Sequence, residues 1–326
     1  MQHLNRDISI DLLKFFAVIL IINSHMDALY VKFSILATGG AIGDVLFLFV
    51  SGYTLFLGNT DLKFDNWYKR RVNRIFPTVL VCAIIASVIN RTYSIPLEVA
   101  FGGQFVIAIM IYYVLLFFIR KYFFDKMFYC LFLVGVVSLL VYVFWYPYKA
   151  EVGEKGLYGI TTLYRWIPYF GFMLFGSLIC LYRKKIKYKL FQDIVLFLLS
   201  LVIFYSIQFA SKNNAIIASY QILTLIPLMG IVYFFYKICN SFFFLKVYNT
   251  KYGHMIIMFV SSLCLESYLI QSSLFTTKMN QFFPFNLVIM IAIVLAVAYV
   301  CKCLSRIFIQ TFSNNDYNWR EIVKWF

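Results

Sequence analysis

Of 326 residues, 63% are hydrophobic and 13% charged, whereas soluble domains sit near half and a quarter, so a water-soluble globular protein is excluded. A net charge of +15 invites a nucleic-acid reading, but the basic residues fall between apolar runs on alternate sides. That distribution makes the charge a topology signal, with membrane lipid as the partner and no nucleic acid.

Apolar runs of about 20 residues recur from end to end, each long enough to cross a bilayer. Ten spans are predicted, at roughly 9–31, 40–57, 75–90, 104–119, 128–146, 166–181, 191–210, 216–236, 256–276 and 286–303. The first is too long for a cleaved signal core and lacks a small-residue cleavage site, so it is expected to remain in place. With the N-terminus inside, 22 of the 29 Lys and Arg residues lie on the inner side and 7 on the outer, which puts both termini in the cytoplasm. Trp67, Trp145 and Trp166 fall at predicted span ends, where indole rings prefer to lie. The irregular stretch 147–165 is the longest predicted outer loop. At the C-terminus, Trp319, Ile322, Val323 and Phe326 follow helical spacing opposite Arg320, Glu321 and Lys324, predicting a short helix on the inner leaflet. The fold class is therefore all-α, a polytopic membrane protein with about ten transmembrane helices, read as one domain over 1–326. Cys82, Cys130, Cys180, Cys239, Cys264, Cys301 and Cys303 lie mostly in apolar runs without zinc-ligand spacing and are expected to be lipid- or core-facing, with no metal.

The first span, LLKFFAVILIINSHMD at 12–27, carries groups that hydrocarbon penalises. Lys14 and His25 are eleven residues apart, so on a helix they share a face, roughly 16 Å apart along the axis. Asp11, at i−3 from Lys14, lies on the same side and is placed to pair with it. Lys14 can be a snorkelling end residue and His25 an interhelical hydrogen-bonder. Alternatively, a neutral imidazole in a wet cavity points to general-base chemistry or a proton path. Composition leaves both open.

Three motifs go further. Asp11-Leu-Leu-Lys14 is followed by ten residues and then His25; GDVLFLFVSGY contains Gly43 and Ser51-Gly52-Tyr53; RRVNRIFP contains Arg70, Arg71, Arg74 and Pro77. In order and spacing these resemble the acyltransferase 3 family of bacterial integral-membrane O-acyltransferases, with weaker echoes at 169–176 and 262–271. The chain departs from the family pattern in three places. Lys14 stands where many members have Arg, Asp44 is one place off a common Asp, and Gln271 replaces a common His.

The resemblance implies a multi-pass protein of the bacterial cytoplasmic membrane. Its implied reaction moves an acyl group, most often acetyl, from cytosolic acyl-CoA to a hydroxyl of a cell-surface glycan or lipid-linked glycan precursor. His25 would be general base or acyl-accepting residue, with Asp11 and Lys14 beside it in the catalytic set. Arg70, Arg71, Arg74, Ser51 and Tyr53 would bind acyl-CoA. Arginines suit that donor because guanidinium groups grip phosphate oxygens bidentately. The principal rival is a secondary transporter or flippase of a glycan precursor, which inverted repeats or interrupted half-helices would support; neither is evident in the sequence. A glycan polymerase would need arginines or paired acids in a large outer loop, and 147–165 offers only Lys149, Glu151, Glu154, Lys155 and Arg165.

Overall fold

Hydrocarbon leaves a spanning backbone two ways to satisfy its hydrogen bonds, helices or a closed barrel, and the described residues contain helices and no strand. The computed structural model describes residues 7–57, 63–92, 95–145, 157 and 163–326. Arg6, Lys149, Glu151, Glu154 and Lys155, and most of the predicted outer loop, lie outside them.

The helices are α1 Ile8–Ser24, α2 Gly40–Leu57, α3 Phe64–Asn90, α4 Leu97–Ala100, α5 Gly103–Tyr122, α6 Met127–Phe144, α7 Trp166–Tyr182 and α8 Leu190–Asn213. They continue with α9 Ala215–Ser219, α10 Leu225–Cys239, α11 Phe242–Tyr248, α12 Lys251–Ser261, α13 Cys264–Leu274, α14 Phe285–Thr311 and α15 Trp319–Ile322. Among the described residues, eight helices are long and apolar enough to cross a membrane, or nine if the bent pair α12–α13 is one span.

Differences from the ten predicted spans have local causes. At 17 residues, α1 reaches only about 25 Å, and 3-10 turns at Asp27–Leu29 and Ser34–Leu36 replace the rest of the predicted segment. α3 starts eleven residues before the predicted span, because the basic run at its start is made of good helix formers. It ends at Arg91 in the left-handed region (φ 55°), whose N–H bonds back into the last turn. Asn214 caps α9, accepting from the N–H groups of Ile216 (2.9 Å) and Ile217 (3.3 Å), and a 3-10 turn at Gln221–Thr224 breaks the predicted span 216–236 between α9 and α10. The predicted span 256–276 bends by 70° between α12 and α13. There Ser261 and Ser262 donate side-chain hydrogen bonds to Met258 O and Phe259 O, drawing the backbone out of helical register. The predicted C-terminal surface helix is a single turn; only Ile322 is buried, and Trp319 and Val323 remain exposed. Trp67, predicted as an interfacial anchor, is buried against Tyr113.

The chain divides into two compact units. The first comprises Met1–Leu13, Asp44–Thr60 and Leu115–Thr250; the second comprises Lys14–Gly43, Asp61–Val114 and Lys251–Phe326. In the first, α2 and α7 cross at backbone contact. A methyl group on Gly52 would lie 1.8 Å from Met173 O, and one on Gly176 would lie 1.9 Å from Phe49 O. Two glycines facing each other's backbone allow this approach, and Ser177 Oγ donates across it to Gly52 O at 3.1 Å. Around the crossing, Phe49, Tyr53 and Tyr236 form a buried aromatic cluster. Asp193 and Lys237 form a buried ion pair in the same unit.

In the second unit, α3, α13 and α14 pack mutually around Cys82, Ala86, Leu263, Ile270, Ala298 and Cys301. A second cluster, including Val18, Ile22, Met26, Leu29, Met290 and Val294, joins α1 and the turn after it to α14.

Gly52→Ala is expected to destabilise the protein by about 3 kcal/mol, because the neighbour to be displaced is backbone. Gly135→Ala, where nothing lies within 4 Å of the added methyl, should be neutral or slightly stabilising. Thermal unfolding of the two variants in detergent checks the contrast.

Candidate functional site

His25 follows the last residue of α1, so its place depends on the turn after the helix and not on a helix face alone. That turn is held from several sides. Asn23 Nδ2 donates to Leu36 O (2.9 Å) and Thr38 O (3.0 Å), and Tyr30 OH donates to Asn23 Oδ1 (2.6 Å). Asn280 Nδ2 donates to Ala28 O and Asn286 Nδ2 to Leu29 O, each at 2.9 Å. Val31, a β-branched residue, is held at φ 54°, a conformation such residues rarely adopt. Within this framework His25 and Asp27 are exposed. The protein surrounding His25 pushes its imidazole pKa below the ordinary value, while the Asp27 carboxylate pulls it upward. The neutral, proton-accepting form is thereby favoured. Lys14, ten residues before the end of α1, is half-buried.

The arginines sit in the first turns of α3, which is helical there, so Arg70 and Arg74 share a face at i, i+4. Both are exposed, and neither makes a hydrogen bond or ion pair among the described residues. Arg71 is half-buried with its guanidinium over the Trp67 ring (5.1 Å), and its Nε is buried without a hydrogen-bond partner among the described residues. The second unit thus contains His25, Lys14 and the three arginines.

Asp11, Ser51 and Tyr53 belong to the first unit, in different surroundings. Tyr53 is fully buried and its hydroxyl donates to Asp7 Oδ2 at 2.5 Å. Tyr236 OH reaches the same oxygen at 3.4 Å, and Ser9 N donates to Oδ1 at 3.1 Å. Asp11 is buried and accepts from Tyr248 OH at 3.2 Å. Ser51 is buried one residue before the glycine of the α2–α7 crossing. Tyr53 and Asp11 therefore spend polar atoms on internal bonds that organise the start of α1.

A family model described as an acyltransferase domain matches residues 7–305. The chain belongs to the acyltransferase 3 family. No curated protein and no solved structure matches it. As a member of this family it is a multi-pass membrane acyltransferase, and the match runs through both compact units.

In this acyltransferase the structure adds residues that the motifs do not contain. Asp7 gathers Tyr53 and Tyr236, and Asn23 ties down the turn after His25. Glu266, buried on α13, lies under the charges of Lys302, Arg74 and Arg306. A carboxyl inside the apolar run 256–276 was the available signal for Glu266, and an amide inside the first apolar run was the signal for Asn23. Gln271, which stands at the family's common His position, is buried with its Oε1 unbonded among the described residues.

Asn23→Ala should release the 26–38 segment, since it removes two carbonyl contacts and the Tyr30 acceptor together. Amide exchange in that segment, followed by mass spectrometry, is expected to accelerate at least tenfold, with exchange in α8 unchanged.

Proposed function

We propose that this acyltransferase works in a bacterial cytoplasmic membrane, moving an acyl group, most often acetyl, from cytosolic acyl-CoA to a hydroxyl of a cell-surface glycan or lipid-linked glycan precursor. The observation that carries this is the arrangement along α14 in the second unit. Asn286 of α14 bonds the turn after His25, and Lys302, sixteen residues on, lies in the electrostatic field of Arg74. The rise of a helix puts these levels about 24 Å apart. An accessible imidazole thus marks one end of the unit and unpartnered arginines the other.

Such a separation suits coenzyme A. Its phosphates are held at the arginine end, taken as cytosolic, and its extended pantetheine arm carries the thioester toward His25. Arg70 and Arg74 offer guanidinium forks to phosphate oxygens, with Arg71 supporting from its seat on Trp67. His25 takes the proton of the acceptor hydroxyl as that oxygen attacks the thioester carbonyl. The tetrahedral intermediate collapses with loss of the coenzyme A thiolate, which the imidazolium protonates, leaving ester, free thiol and neutral His25. Lys14, on the same helix, contributes positive charge along the path. Asp11 and Tyr53 bond to Tyr248 and Asp7 within the first unit, and no step of the transfer is assigned to them or to Ser51.

His25→Ala is expected to abolish transfer of labelled acetyl from acetyl-CoA to surface glycans while the protein still inserts and accumulates; retained acylation removes His25 from the mechanism. Replacing Arg70, Arg71 and Arg74 each by Lys should raise the KM for acyl-CoA about tenfold with a smaller change in kcat. In the wild type, the acid limb of kcat/KM should titrate below pH 6.5, since the protein around His25 strips part of its hydration and favours neutral imidazole. Asp27→Asn removes the charge that opposes this, so the limb should move lower still; an upward shift would contradict the assignment of that limb to His25.

A further inference from the structure

The packing of α3, α13 and α14 in the second unit brings together an uneven set of charges. Glu266 on α13 is buried, and the cations acting on it are Lys302 and Arg306 of α14 and Arg74 of α3. These cations also act on one another: Arg74 and Arg306 on Lys302, and Arg70 and Arg74 on Arg71. The buried carboxyl of Glu266 therefore stands beside a connected group of five positive charges.

The two α14 cations already work as oxygen binders. Lys302 Nζ donates to Ser262 O (3.1 Å) and Ser262 Oγ (2.7 Å) at the break between α12 and α13. Arg306 Nη1 donates to Ile322 O (3.0 Å) and to Lys324 O. Those oxygens are neutral carbonyls and a hydroxyl, so they use donors without balancing charge. Donor capacity also remains: an ammonium has three N–H groups and a guanidinium five, and Arg74 bonds nothing among the described residues. A group of cations with spare donors has the chemistry of a phosphate site.

We propose that Lys302 and Arg306, with Arg74 and with Glu266 as the buried counter-charge that orders them, form a phosphate-binding subsite at the arginine end of the second unit. The phosphate has two available sources, coenzyme A and an anionic lipid headgroup. The coenzyme A version rests on the donor proposed above, which carries a 3′-phosphate as well as a pyrophosphate. Glu266 is a positioning residue, since it repels phosphate directly.

The test uses the full chain purified into nanodiscs of phosphatidylcholine, with and without phosphatidylglycerol. Coenzyme A affinity is measured by calorimetry and thermal stability in both lipids. Lys302→Gln and Arg306→Gln are each expected to weaken coenzyme A binding about tenfold. Lys302→Arg should restore it. Tyr299→Phe, which loosens the C-terminal segment by removing the bond to Val323 O (2.6 Å), should leave it unchanged. If coenzyme A affinity holds but the neutral variants lose a stabilisation by phosphatidylglycerol that the wild type shows, the phosphate is the lipid's and the subsite stands. If neither readout changes in either variant, there is no phosphate subsite and the proposal is overturned. A wild-type chain that binds no coenzyme A would instead remove the acyl-CoA donor, with the lipid comparison still deciding the subsite.

Discussion

A polar group away from water must find its partner within the protein, and this constraint decides where the buried charged and amide side chains of the acyltransferase go. Asp7 collects Tyr53 and Tyr236, Asp11 collects Tyr248, Asp193 pairs with Lys237, and Lys302 closes on the backbone break at Ser262. Each of these joins elements distant in sequence, so they hold the helices in register where apolar packing against lipid would leave them free to slide. The α2–α7 glycine crossing works toward the same end by a different force, bringing two backbones close enough for Ser177 to bond across.

Against that background, four groups of the second unit stand apart and are the ones on which the proposed reaction rests. His25, Asp27, Arg70 and Arg74 remain accessible, and the arginines have no protein partner among the described residues. Their scaffolds are nonetheless rigid. Asn23, Asn280 and Asn286 fix the turn after His25 by bonds to backbone carbonyls, while α3 carries the arginines on a continuous helix. Accessible reactive groups on well-held backbone are what catalysis by positioning requires. The distance between the two ends follows from the length of α14.

Glu266 shows how packing creates what motifs do not contain. Its carboxyl is isolated in an apolar run, and Lys302 and Arg306 look in sequence like ordinary topology markers at the end of a span. Only the mutual packing of α3, α13 and α14 brings them under Arg74 and turns three unrelated features into one electrostatic group.

The sequence alone determined the membrane class and most helices, because a run of about 20 apolar residues has no other stable state in a bilayer. The span at 40–57 coincides with α2, and those at 104–119, 128–146, 166–181 and 191–210 fall within a few residues of α5 to α8. The order of Lys14, His25 and the arginines, with the family they indicate, was legible too, since motif spacing survives without coordinates. Tertiary structure alone decided the tie of Lys302 to the break at Ser262, the fixing of the turn after His25 by Asn280 and Asn286, and the division of the candidate residues between two units. Hydropathy sums side chains and is blind to which backbone groups a neighbouring hydroxyl, amide or ammonium will claim, and those claims are made across the fold.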